Sequence, residues 1–321
     1  MMGRAFSPTL PSIPRPSVAK NPATSVVPSM VAPSARYVDS VVREIPITAA
    51  DTWTSMTEYL SVAEGDINVP TQAKYLSGLQ IAMAVEQAAA VSNKLASVVR
   101  LSGAALAQGG RYHFLGPYGT AVILSANGSN CNHAKGVHYP LAIPVKGGDQ
   151  LKVECMSFGD DPTDWFFGSA LTFSDQPAPG GFVDGDVREA DIAATDTDTS
   201  LTNIGGDALG HFRVPTGKSK LAAVATAMSY DPGVAAAVLK LASTFSLRGD
   251  ALAYGGSFRL LGSWGGYDAA GTPVGGQLTL LPPELHRIEL NLIPGNTLEG
   301  HAAMLAEDCG DVNAAMGVLY T

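Results

Sequence analysis

The chain contains itself twice, and that constrains its fold more than any other feature. Sliding the sequence by 145 residues brings Val42-Arg43-Glu44 onto Val187-Arg188-Glu189 and Val69-Pro70-Thr71 onto Val214-Pro215-Thr216, with 15 identities in the 30 positions from 42 to 71. One inserted residue later, Lys94-Leu95-Ala96-Ser97 meets Lys240-Leu241-Ala242-Ser243, and Gly109-Gly110 meets Gly255-Gly256, with 13 identities in 23 positions. Chance gives far fewer. The period is too long for a solenoid, whose units run about 20–50 residues. Each copy is the size of a domain. The expected organisation is an arm over 1–36, a first domain over 37–176, a linker over 177–181 and a second domain over 182–321.

Within each copy the dominant pattern has period two, the signature of half-buried strands. Leu79, Ile81, Met83 and Val85 alternate with Gln80, Ala82, Ala84 and Glu86, while Val224, Thr226 and Met228 alternate with alanines. Leu95, Ser97, Val99 and Leu101 are paralleled by Leu241, Ser243, Phe245 and Leu247. The segments Gly110–Gly116 and Gly256–Gly262 read as short strands between glycines, and Gly109-Gly110 and Gly255-Gly256 as hairpin turns. Strands separated by Gly, Pro, Asp and Asn predict an all-β chain of sandwich or jelly-roll type. Two alanine-rich windows, Gln87–Ser92 and Val234–Val238, fit a strand or a short helix equally well.

Apolar residues make up 46 % of the chain, enough for a substantial core, while charged residues reach only 15 %; about 25 % is ordinary. The net charge of −9 argues against the body as a phosphate binder. No run of 18 apolar residues marks a transmembrane helix, and the N-terminus lacks the charged start and apolar stretch of a secretory signal. Instead, prolines at 8, 11, 14, 16, 22, 28 and 33 favour an extended conformation. The only charges of this arm are Arg4, Arg15, Lys20 and Arg36. The arm is therefore +4 on a remainder of 16 basic and 29 acidic residues, or −13. A basic arm on an acidic body reads as an interaction arm.

A search for chemistry returns no catalytic constellation. The polar positions shared by the copies include Arg43/Arg188, Glu44/Glu189 and Asp51/Asp196, and the Arg-Glu dipeptide reads as a strand-end charge pair. Cys131, His133, His138 and Cys155 are metal-ligand types at a spacing that fits no standard zinc pattern. Asp184, Asp186, Asp191, Asp196 and Asp198 lack the spacing of a calcium loop and read as a solvated face at the linker. Asp160, Asp161 and Asp164 read as a turn before a strand. Of the three cysteines, Cys131, Cys155 and Cys309, two could pair, but three scattered cysteines make no disulfide framework. The expectations are no enzyme, no cofactor, no bound metal and no small-molecule substrate.

A basic Pro-rich arm followed by two related, acidic, β-rich domains resembles the double jelly-roll major capsid proteins of tailless icosahedral viruses, the lineage that includes the adenovirus hexon. The resemblance lies in architecture and spans the whole chain. It implies two tandem, internally duplicated jelly-roll β-sandwiches preceded by an extended arm. It further implies homotrimers with six similar corners, a capsid lattice completed by minor capsid or penton proteins, and assembly into virions inside the host cell. Arg4, Arg15, Lys20 and Arg36 would then lie on the underside, toward an internal membrane or the genome. A competing reading is a tandem β-sandwich binding module for carbohydrate or a surface protein, with Trp53, Trp165 and Trp264 as its tryptophans.

Overall fold

A computed structural model describes residues 37–47, 52–58, 66–87, 92–122, 130–133, 136–159, 164–192, 202–204, 211–230, 239–267, 283–304 and 312–321. The arm, with Arg4, Arg15, Lys20 and Arg36, lies outside them, as do Val234–Val238, Asp160, Asp161, Asp196, Asp198 and Cys309. The described residues hold strands and no helix. The first sandwich comprises β1 (Tyr37–Ile47), β2 (Thr54–Ser55), β3 (Thr57–Glu58), β4 (Ile67–Asn68), β5 (Tyr75–Gln87), β6 (Ser92–Ser102), β7 (Tyr112–Val122), β8 (Asn130–His133), β9 (Val137–Pro144), β10 (Gln150–Gly159) and β11 (Asp164–Ser174). The second comprises β12 (Asp184–Ile192), β13 (Thr202–Ile204), β14 (Phe212–Arg213), β15 (Lys220–Tyr230), β16 (Leu239–Arg248), β17 (Phe258–Tyr267), β18 (Glu284–Asn291), β19 (Thr297–Met304) and β20 (Val312–Tyr320).

In the first sandwich one sheet orders its main strands β1-β11-β5-β9 and the other β2-β10-β6-β7. The second sandwich orders them β12-β20-β15-β18 and β13-β19-β16-β17. Numbered within each half, both read 1-8-3-6 facing 2-7-4-5, with antiparallel ladders throughout. That order is a pair of interlocked Greek keys, the jelly roll. The chain is all-β and consists of two tandem jelly-roll sandwiches.

The tight turns are built alike in both halves. Gly103 and Gly249 take φ of +119° and +115°, and a Cβ there would sit 2.6 Å from Gln150 O and 2.5 Å from Thr297 O. Ala105 N–H donates to Gln150 O as Ala251 N–H donates to Thr297 O, both at 3.0 Å. Gly109 and Gly255, each at φ +67°, donate to Leu106 O and Leu252 O at 2.9 Å. These glycine pairs do connect antiparallel neighbours, β6 to β7 and β16 to β17. The strands after them are longer than expected, however. β7 runs on through Gly116, where a Cβ would meet Ile81 Cγ2 at 3.0 Å and Ser97 Oγ closer still. Glycine there lets the two sheets approach rather than ending a strand.

Each sandwich has its own core. The first gathers Leu79, Ile81, Phe114, Tyr139, Phe167 and Phe173, and the second Phe212, Val224, Phe245, Leu247, Met316 and Val318. A third apolar cluster lies between the sandwiches. Val98, Leu115, Tyr118 and Met156 from β6, β7 and β10 pack on Val187, Ala225, Ala227 and Ala315 from β12, β15 and β20. The alanines that alternate with Val224, Thr226 and Met228 therefore cover no solvent face: the whole run 223–228 is buried. The expected linker is also pinned in place. Ala178 N–H donates to Leu141 O, Phe182 N–H to Pro140 O and Ala142 N–H to Phe182 O, at 3.0, 2.9 and 2.7 Å. The Phe182 ring is buried in the first core, 6.5 Å edge-on from Tyr139.

Gly103→Ala and Gly249→Ala are expected to cost about 2–4 kcal/mol each, because both a left-handed φ and a backbone oxygen oppose the new methyl. Gly109→Ala has the same sign of φ and open space around it, so about 1 kcal/mol is expected. Urea midpoints of the three variants check the ranking.

Candidate functional site at the junction of the sandwiches

At one border of the third cluster the junction opens into a cleft of about 480 Å³, where polar side chains from both sandwiches meet. From the first sandwich, Arg100 on β6 and Glu154 on β10 stand opposite each other in the ladder. Arg100 Nε donates to Glu154 Oε2 at 2.7 Å, and Lys152 Nζ lies 3.0 Å from Oε1. The Arg100 guanidinium also covers the Trp53 ring at 4.1 Å from its centroid, and the His113 ring packs against Trp53 at 5.6 Å. Burial by itself would raise the Glu154 carboxyl, but the hydrogen bonds from Lys152 and Arg100 outweigh it and hold the group below its usual range.

From the second sandwich, β12 contributes Asp184, Asp186 and Arg188. Arg188 Nη1 donates to Asp186 Oδ1 at 2.6 Å, and the same oxygen lies 3.2 Å from His113 Nδ1 across the junction. Burial opposes the Asp186 charge, yet His113 and Arg188 keep its carboxyl below the ordinary value. Asp184 has weaker support. Its Oδ1 accepts from Gly185 N–H at 2.8 Å, but burial dominates and pushes the carboxyl up to about 6. Gly185 lets β12 press against β7: a Cβ there would stand 2.8 Å from His113 O. Two donors of the lining, Arg188 Nε and the Tyr320 hydroxyl, are buried without a hydrogen-bond partner. They are what the cleft offers to a polar guest.

Several expectations need correction. Asp184 and Asp186 form no solvated face; both line the junction cleft, and Asp186 is paired there with Arg188 at 2.6 Å. Asp191 pairs through its backbone with Asn313, and its side chain lies outside the described residues. The Arg188-Glu189 dipeptide is no charge pair, because successive strand residues face opposite ways. Arg188 holds Asp186, while Glu189 Oε2 accepts from Asn313 Nδ2 at 2.7 Å. Cys155 is a free thiol inside the first core, pushed far up by burial, whereas His138 is exposed on β9. Cys131 and His133 are described only as β8 backbone. Among the described residues no group of three or more His, Cys, Asp or Glu is placed to hold a metal.

Arg100, His113 and Glu154 were absent from the sequence-based candidates. The repeat held a signal for two of them. The ladder places Ser246 and His301 where the first sandwich has Arg100 and Glu154, so that Arg–Glu pair belongs to one copy alone.

No family model and no curated protein matches the chain. Solved structures do resemble it. PNGF-II does so at a TM-score of 0.46 and 10 % identity over 89 % of this chain, which spans 66 % of that chain, just under two thirds. N-glycanase F (PNGase F) does so at 0.37 and 11 % identity over 88 % of this chain and 96 % of that one. A triple jelly-roll protein of the turret assembly of an archaeal virus does so at 0.23 and 10 % identity over 90 % and 60 %. All three scores lie below 0.5, and the jelly-roll assignment stands on strand order. The expectation that the chain is no enzyme is withdrawn. One of these neighbours, N-glycanase F, is an enzyme, and a fold does not select between catalysis and structure.

The Asp184 carboxyl keeps its proton to a higher pH when folded than when unfolded. Folding stability attributable to it therefore falls as pH rises from about 4 to about 6 and stays lower above. Asp184→Asn keeps the acceptor for Gly185 and removes the titration. Relative to this variant, the native protein is expected to lose about 1–2 kcal/mol over that window, after allowance for its partial exposure. Denaturant titrations at pH 4 and pH 7 check this; parallel stability curves would refute it.

Proposed function

We propose that the chain is a structural protein of an icosahedral virus shell, a double jelly-roll major capsid protein. The observation that carries this reading is the same jelly roll built twice, with matching turns, and stacked through a third apolar cluster. Shared turn geometry together with the sequence repeat supports a tandem duplication. A duplicated domain gives a threefold-symmetric trimer six similar corners, which lets one chain fill hexagonal positions of a lattice. Wide lateral contacts account for a charged fraction of only 15 %, since interface cores are depleted in charge. In this reading the chain resides in the virion, assembles inside the host cell, and meets minor capsid or penton proteins at lattice edges.

The arm with Arg4, Arg15, Lys20 and Arg36 faces anionic lipid or nucleic acid beneath the shell. Each cation is worth about 1 kcal/mol near a membrane surface, so the arm orients the subunit more than it holds the lattice. A tandem β-sandwich binding module is the second reading, favoured by the unpaired donors of the junction cleft.

Light scattering and negative-stain images of the full chain are expected to give a particle of about three times 33.1 kDa with a hexagonal outline. Removal of residues 1–36 is expected to abolish shells and leave trimers. A monomer at every concentration would overturn the shell reading in favour of the binding module.

A further inference from the structure

The junction cleft holds more hydrogen-bond donors than the protein itself uses. Its wall brings together Arg100 and Arg111 from the first sandwich, Arg188 and Arg213 from the second, and the carboxyls of Asp184 and Asp186. The net charge of −9 argues against the body as a whole as a phosphate binder, yet four guanidinium groups against two carboxyls reverse the sign locally. Two of the four are committed. Arg100 pairs with Glu154 at 2.7 Å and Arg188 with Asp186 at 2.6 Å. Arg111, directly before β7, and Arg213, on β14, are exposed, and among the described residues neither is in an ion pair. Arg213 Nε reaches only Gly295 O, at 3.4 Å.

Each sandwich thus presents one uncommitted guanidinium to a shared cleft of about 480 Å³. The same wall holds the Tyr320 side chain, which is 1 % exposed. Its hydroxyl and Arg188 Nε are buried without a hydrogen-bond partner, and both are groups that an acceptor-rich guest would satisfy. Val98, Met156 and Val187 belong to the cleft and to the apolar cluster alike. Charges set against such a surface attract more strongly than they do in open water. A guanidinium is a planar fork that matches two oxygens of a carboxylate or phosphate. Two forks arriving from different strands require more oxygens than a single carboxylate carries, and a tetrahedral dianion has them.

We propose that the junction cleft binds a tetrahedral oxyanion, the group shared by phosphate and sulfate esters, between Arg111 and Arg213. Neither the Tyr320 hydroxyl nor Arg188 Nε touches solvent, so a guest anchored by the two exposed guanidinium groups meets them only as it settles into the wall. Asp184 opposes the guest: its carboxyl lines the cleft and accepts from Gly185 N–H at 2.8 Å. Because each sandwich supplies half of the site, a bound oxyanion would clamp the junction, in a shell subunit and in a binding module alike.

Calorimetric titration of the full chain with inorganic phosphate, sulfate and acetate, at one ionic strength held by chloride, tests the site. Phosphate or sulfate is expected to bind once per chain and to raise the melting temperature, with acetate at least about 10-fold weaker. The tighter of the two tetrahedral anions assigns the ester class. Arg111→Ala and Arg213→Ala change exposed side chains and are expected to keep the native circular dichroism. Each is expected to weaken binding about 10-fold or more. Arg259→Ala removes an exposed cation of β17 outside the cleft and is expected to leave affinity within about 2-fold, while Asp184→Asn is expected to tighten it. Neither heat nor a melting shift with either tetrahedral anion would overturn the site. An equal loss in Arg259→Ala would reduce the effect to net charge and overturn it as well. Acetate bound as tightly as phosphate and sulfate would overturn the tetrahedral class.

Discussion

The apolar cluster between the sandwiches is what the rest of the structure depends on. Val98, Leu115, Tyr118 and Met156 on one side and Val187, Ala225, Ala227 and Ala315 on the other leave neither sheet a wet face there. Burying apolar surface on this scale is the main favourable term available to a chain, and here it welds two separately cored sandwiches together. The division of labour is asymmetric: large side chains come from the first sandwich and small ones from the second. Small residues on β15 and β20 give the flat surface against which Leu115 and Met156 fit, and Gly185 and Gly317 extend it to the border.

Charge is confined to the border of that cluster, as the cost of burying ions requires. Glu154 is held by Arg100 and Lys152, and Asp186 by Arg188, with His113 Nδ1 3.2 Å away, so each of these carboxylates has cationic company from its own sandwich. Asp184 is the exception, with one backbone donor and a raised carboxyl. The apolar cluster supplies cohesion, and one polar contact of the border, His113 Nδ1 to Asp186 Oδ1 at 3.2 Å, crosses from one sandwich to the other. The pairs of Arg100 and Lys152 with Glu154 and of Arg188 with Asp186 each stay within a single sandwich.

A jelly roll by itself serves binding, catalysis and shell building alike. The functional weight therefore falls on how two such rolls are joined and on what their joined faces leave uncovered.

Much of the fold was legible because its signals are local or self-referential. The period-two runs around Leu79–Met83 and Val99–Leu101 specify strands and their inner faces, the glycine pairs 109–110 and 255–256 mark turns that only glycine adopts cheaply, and the repeat points to two units. The candidate site was far less legible. Arg100 and Glu154 are 54 residues apart, and His113 meets Asp186 from 73 residues away. Alternation identifies which residues leave the core of their own sandwich, but not whether water or another sheet awaits them. The alanines of β15 and the exposed Leu261 carry the same local pattern with opposite fates. The sequence by itself determined strand and turn, because those follow from neighbours along the chain. Only the tertiary structure decided which sheet faces become interior, because that depends on long-range docking of surfaces whose partners no local pattern names.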